Sequence, residues 1–252
     1  MAGHSKWANT KHRKARVDAK RGKTFSKIAK ELMVAARDGG GDPAANITLR
    51  ALIQKARSYN MPADNVDRAI KKGTGEGGSN ALEELTYEGY APGGIAILVQ
   101  ALTDNKNRTV AEVRNVFTKC GGSMAGQGAV AHLFERKGQI FVQADRVDED
   151  ALLGMVLDAG GEDVRKDGDQ YEILTAPPEF MAVVDALSAA EIEATGSELT
   201  FLAETEVPIS NAKKAAALIR FIDALEDLDD VQNVYANFDI DDQILDAVMS
   251  EN

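Results

Sequence analysis

The sequence predicts an α+β protein of three domains: an N-terminal three-helix bundle with a basic arm, then two ferredoxin-like α+β domains, one inserted in the other. Three observations predict it. Apolar residues recur at helical spacing up to residue 73, and at strand spacing after a Gly-rich break over 73–80. From residue 139 the elements follow the order βαββαβ, that of the ferredoxin-like fold. The charge also changes sign along the chain. Residues 1–78 hold 17 Lys+Arg against 7 Asp+Glu, a net of +10, whereas 79–252 hold 12 against 33, a net of −21. The whole-chain value of −11 hides that division. A length of 252 residues suggests roughly two domains of about 100–200 residues, and 44% hydrophobic content excludes a disordered chain.

Residues 2–23 carry one Trp, one Val and a few Ala among closely spaced Lys and Arg, too little apolar surface to offset ordering entropy. They read as an extended arm, mobile when free. From Thr24 the residues Phe25, Ile28, Leu32, Met33 and Ala36 form one face of a helix that Gly39-Gly40-Gly41 ends. Asp42-Pro43 reads as the N-cap and first residue of a second helix, with Leu49, Leu52, Ile53 and Ala56 inward. Asn60-Met61-Pro62 breaks the chain. A short third helix carries Val66, Ala69 and Ile70 and ends at Lys71-Lys72-Gly73, with Gly suited to the C′ position.

Beyond the linker, Glu84–Tyr90 and Gly94–Thr103 read as strands joined by a turn at Ala91-Pro92-Gly93-Gly94. Asp104–Lys119 is predicted as a helix with Val110, Val113, Val116 and Phe117 inward, and a Gly-rich loop follows. Residues 132–143 read as a strand pair around Arg136-Lys137-Gly138. The βαββαβ series is 139–144, 148–159, 162–166, 170–175, 178–189 and 198–205, its hairpin turning at Asp167-Gly168-Asp169. Asn211–Leu228 is a helix and Val231–Phe238 a strand. The simplest topology makes three domains: 1–78; 79–132 with 206–252; and 133–205 inserted between them.

The basic head points to a partner. Lys6, Lys11, Arg13, Lys14, Arg16, Lys20, Arg21, Lys23, Lys27, Lys30 and Arg37 face only Asp18 and Glu31 in the first 37 residues. Such a density repels itself, and a polyphosphate relieves it with release of counterions. Trp7 offers a stacking surface for a base, and His4 and His12 can donate to phosphate. The competing reading is a solvated basic tail, or one docked on the acidic C-terminal domains. Asn105, Asn107, Arg108 and Thr109, between a strand and a helix, suit a secondary phosphate contact. Simple capping of that helix by Asp104 or Asn107 has slightly more in its favour.

Other chemistry finds little support. Cys120, the one cysteine, excludes a disulfide framework and a cysteine-rich zinc site, and its place after a helix C-terminus disfavours a thiolate. His132, expected in a strand, has no nucleophile or orienting acid beside it. The GTGEGG run lacks the Lys-Ser/Thr of a phosphate loop, and Asp239, Asp241 and Asp242 lack calcium-loop spacing. No enzyme, metal or cofactor is therefore expected. No apolar run has the roughly 18–20 residues of a membrane helix, and the N-terminus lacks the apolar core of a secretory signal. A mitochondrial transit peptide is the lesser alternative, since residues 4–20 show almost no apolar face.

MAGHSKWANTKHRK and Asp18-x-Lys20-Arg21-Gly22-Lys23 closely resemble the N-terminus of the YebC family of bacterial proteins, which includes a mitochondrial translational activator of a cytochrome oxidase subunit. The resemblance continues through Gly40-Gly41-Asp42-Pro43, Asn60-Met61-Pro62, Asn65 with Arg68-Ala69-Ile70, Tyr87-Glu88-Gly89-Tyr90 and Leu102-Thr103-Asp104-Asn105-x-Asn107-Arg108-Thr109. The chain departs from the family after Gly122, with Met124-Ala125 and Gly128-Ala129-Val130 where the family tends to Leu-Gly and Gly-Ser-Val. The resemblance implies one helical and two α+β domains around a cleft, in a cytoplasmic, non-enzymatic regulator of gene expression. Some members are described as DNA-binding transcriptional regulators. Others look like ribosome-associated translation factors that bind ribosomal RNA and ease synthesis of proline-rich stretches. The site residues it carries over are those from His4 to Lys30.

The combined expectation is a nucleic-acid-binding regulator. Residues 3–23 and the helix bearing Lys27 and Lys30 contact phosphate, and Trp7 and His12 reach bases. The acidic domains either keep nucleic acid off their faces or present a surface to a protein partner. DNA is the expected target and ribosomal RNA, on the ribosome, the alternative.

Overall fold

The computed structural model describes residues 21–75, 82–241, 243–245 and 248. The expected arm up to Lys20 and the linker over 76–81 lie outside the described residues. The described chain is α+β and divides into two compact units. One comprises 28–75 and 136–201; the other comprises 21–27, 82–135 and 202–248.

The first unit begins with helices α1 (Arg21–Gly39, its first turns counted with the second unit), α2 (Ile47–Ser58) and α3 (Ala63–Gly73). Ile28, Leu32, Ala35 and Ala36 of α1 are buried, as are Leu49 and Ala56 of α2 and Val66 and Ala69 of α3. The second helix starts later than Asp42-Pro43 predicts. Residues 43–45 form a turn, and Asn46 is the cap. Its Oδ1 accepts from Leu49 N at 3.0 Å, while its Nδ2 donates to Ala35 O and Gly40 O, both at 2.8 Å. One amide thus closes the end of α1 and opens α2, which an aspartate, having no donor, cannot do. Gly73 lies inside α3 rather than beyond it. A Cβ there would stand 2.3 Å from Met33 O, so glycine lets α3 approach the α1 backbone.

The rest of this unit is the ferredoxin-like series: β4 (Phe134–Gln143), α5 (Glu149–Asp158), β5 (Gly161–Asp167), β6 (Gln170–Thr175), α6 (Phe180–Ala189) and β7 (Ala194–Ala203). The sheet order is β5-β6-β4-β7. Ile140, Val142 and Ile173 of the sheet meet Leu152 and Val156 of α5 and Phe180, Val183 and Leu187 of α6 in one core. Residues 134–143 form one strand and not the predicted pair. Gly138 does not turn the chain; a Cβ there would meet Thr175 Oγ1 at 2.3 Å and the Phe180 ring at 2.5 Å. The loop expected at Arg136-Lys137-Gly138 is a close approach within a strand.

In the second unit, β1 (Glu83–Ala91) and β2 (Ile95–Thr103) form the predicted hairpin. They join β3 (Ser123–Ala125) and β9 (Val231–Ala236) in the order β3-β1-β2-β9. Helices α4 (Lys106–Lys119) and α7 (Ala212–Glu226) share a core with this sheet, formed by Ile97, Val99 and Val234 against Val113, Phe117, Leu218 and Ile222. Phe117 and Phe221 meet edge to face, ring centroids 5.0 Å apart. The strand expected over 231–238 divides at Asn237, whose Oδ1 accepts from Ala96 N at 2.6 Å and ends the ladder. Beyond it β10 (Phe238–Ile240) pairs in parallel with β8 (Val207–Ile209). Among the described residues no helix is long and apolar enough to cross a membrane.

Candidate nucleic-acid interface

Of the residues predicted to touch nucleic acid, His4, Lys6, Trp7, Lys11, His12, Arg13, Lys14, Arg16 and Lys20 lie outside the described residues. Arg21 opens α1. Lys23 and Lys27 stand four residues apart, on one face of that helix. Both meet the C-terminus of α7. Lys23 Nζ donates to Asp227 O and lies 3.8 Å from Asp227 Oδ1 and 3.6 Å from Asp229 Oδ1. Lys27 Nζ donates to Glu226 O at 2.8 Å. The last carbonyls of a helix have no intrahelical partner and sit at the negative end of its dipole, so lysine is a fitting partner there. Lys30, one turn further on, is partly buried. For Lys23 and Lys27, then, the structure shows a contact of the kind the docked-tail reading describes, with an acidic segment of the same chain.

The stretch 105–109 is organised around Asp230. Asn105 caps α4, its Oδ1 accepting from Arg108 N at 3.1 Å, in place of the predicted Asp104 or Asn107. Asp104 is engaged elsewhere, accepting from Arg108 Nη2 at 2.9 Å. Asp230 is buried, and its Oδ2 accepts from Arg108 Nη2 at 2.6 Å, Arg108 Nε at 3.2 Å, Thr103 Oγ1 at 3.0 Å and Thr109 Oγ1 at 2.9 Å. Hydrogen bonds to Asp230 and Asp104 hold the Arg108 guanidinium in its charged form beyond the ordinary. Asn107 is exposed. Arg108 and Thr109 thus serve an internal carboxylate, which sequence reasoning missed because Asp230 lies 122 residues from Arg108.

A second carboxylate was also missed. Glu88, buried on β1, accepts from the backbone N–H of Gly128 and Val130 at 2.6 Å and of Ala131 at 2.9 Å. Tyr90 Oη donates to Ala129 O at 3.2 Å. Together they fasten the end of the Gly-rich loop to β1. Burial alone would raise the Glu88 carboxyl, but the N–H groups of Val130, Gly128 and Ala131 outweigh it, and the net effect is a lowered pKa. The only sequence signal was the motif Tyr87-Glu88-Gly89-Tyr90.

His132 lies exposed in a 3-10 turn, not in the predicted strand, with Nδ1 3.3 Å from Gly128 O. Cys120 is the partly buried C-cap of α4. Among the described residues no group of three or more His, Cys, Asp or Glu is arranged to hold a metal.

Comparison with known proteins matches residues 5–76 to the TACO1/YebC protein N-terminal domain and residues 82–238 to the TACO1/YebC second and third domain. The chain belongs to the TACO1/YebC family. A relative from Natranaerobius thermophilus is 51% identical over 98% of this chain and 100% of its own length. One from Carboxydothermus hydrogenoformans is 51% identical over 96% and 100%. Each bears the name "Probable transcriptional regulatory protein". The crystal structure of a conserved hypothetical protein from Aquifex aeolicus superposes with a TM-score of 0.80 at 46% identity, covering 90% of this chain and 94% of that one.

Proposed function

We propose that this member of the TACO1/YebC family is a nucleic-acid-binding regulator of gene expression, acting on DNA as a transcriptional regulator in the cytoplasm and working by binding rather than by catalysis. The observation that carries the reading is the division of charge: +10 over residues 1–78 on a body of −21. The name borne by relatives of about 50% identity supports transcription as its setting. In this reading the basic head, His4 to Lys30, is the binding element. Its lysines and arginines contact phosphate and Trp7 stacks on a base. The acidic remainder repels the polyanion and confines contact to the head.

Six phosphates neutralised on duplex DNA give a salt slope of about −5. A binding titration across a salt series is expected to show it, and deletion of residues 2–23 is expected to abolish most of the affinity. Affinity indifferent to salt, or full affinity after the deletion, refutes the reading. Sedimentation with ribosomes that depends on the arm, without footprinting on promoter DNA, moves the target from DNA to ribosomal RNA.

A further inference from the structure

Two of the cations assigned to phosphate are occupied in the free protein, and both by the same short segment. The C-terminus of α7 presents Glu226 O and Asp227 O to Lys27 and Lys23, and places Asp227 Oδ1 and Asp229 Oδ1 within 4 Å of Lys23 Nζ. Carbonyls at the negative end of a helix followed by carboxylates offer a lysine what a nucleic-acid backbone offers, closely spaced anionic oxygens. The Lys23 contact is also open to solvent, while the Lys27 bond to Glu226 O is part-buried. The Asp227 and Asp229 side chains are 62% and 94% exposed and that of Lys23 35%. Ion pairs so exposed are weak and screened by salt, so they occupy a lysine without locking it.

From these features we infer that the C-terminal turn of α7 is an internal competitor for phosphate, an autoinhibitory latch that holds Lys23 and Lys27 in the free protein and yields them to a polyanion. The inference rests on the reading of the head as the nucleic-acid-binding element. A polyphosphate brings many charges and releases counterions on binding, which the two carboxylates cannot match. The latch therefore raises the threshold for binding: weak or short anions leave it closed, and an extended backbone opens it.

The test is a binding titration of the full chain with labelled duplex DNA at low and moderate salt. Four proteins are compared: wild type, Asp227→Asn with Asp229→Asn, Lys23→Ala, and the triple variant. Neutralising the two aspartates is expected to tighten binding about two- to tenfold at low salt, the span that two exposed ion pairs allow. That gain is expected to vanish when Lys23 is alanine. Unchanged affinity overturns the latch. So does an equal gain without Lys23, which marks a long-range effect of charge. A second readout is hydrogen exchange of the wild-type protein. The amides of Asp227 and Leu228, which donate to Asp223 O and Leu225 O, are expected to exchange faster once DNA is bound. Retained protection identifies Lys23 and Lys27 as permanent caps of α7 and overturns the latch, even if the aspartate variants fold poorly. Salt-independent binding by the wild type, or none, refutes the nucleic-acid reading and the latch with it. Normal wild-type binding with no aspartate effect refutes the latch alone.

Discussion

Glu88 and Glu172 show how one residue type takes opposite roles in one molecule. Both are buried, on β1 and β6. Three backbone N–H groups meet Glu88, and its pKa falls. Glu172 has one bond, from Gln139 Nε2 to Oε1 at 2.5 Å; its Oε2 has no hydrogen-bond partner among the described residues. Burial outweighs the Gln139 bond, and the Glu172 pKa rises. The consequences for stability have opposite signs. The contribution of Glu88 is present above the unfolded carboxyl value of about 4.3 and is lost as pH falls toward its lower folded value. Glu172 favours folding when protonated, so its ionisation takes stability away as pH rises from about 4.3 toward its higher folded value. Glu88→Gln is expected to cost about 2 kcal/mol at neutral pH and to lose most of that effect in acid, measured by chemical denaturation across pH. Glu172→Gln is expected to stabilise the protein at neutral pH, by a margin that shrinks on acidification below the folded value. A Glu172→Gln variant less stable than wild type at neutral pH contradicts this account.

At the scale of elements, local signals were legible and distant partners were not. The βαββαβ series follows from strands and amphipathic helices whose patterns repeat within a few residues, and the sheet order β5-β6-β4-β7 is the one that series implies. Caps went astray where several candidates stood together. In Asp104-Asn105-Lys106-Asn107 any of three side chains can cap, and the choice falls to Asn105 once Arg108 engages Asp104. Gly138 carries the turn composition of its neighbours, yet its role is set by Phe180 and Thr175, distant in sequence. Gly138→Ala is therefore expected to cost about 1–3 kcal/mol through overpacking, read as a lower denaturation midpoint. A loop glycine would tolerate the same change, so an unchanged midpoint argues for the turn. The candidate site divides in the same way. The basic head is plain in composition, but Lys23 meets Asp227 across 204 residues and Lys27 meets Glu226 across 199. No spacing rule spans such distances.

For the molecule as a whole, charge and connectivity act together. In the proposed function, the acidic body that repels a polyanion also supplies the anions that occupy Lys23 and Lys27, so one charge distribution would set both where nucleic acid binds and how readily. The β2–β9 pairing has a further consequence, in the order of synthesis. Residues 28–75 and 136–201, which make up the first unit, have all been made by residue 201. The second unit waits: β2 has its β1 neighbour early, but its other edge is closed only by β9, which pairs Ile97 with Ala236 and Leu98 with Tyr235. Until then a strand with eight of its nine residues buried in the finished fold has one open edge, the condition under which nascent chains associate with one another. A ribosome that halts between Phe201 and Val231 leaves a chain whose β2 edge is still open, so the segment that carries β9 protects the part made before it.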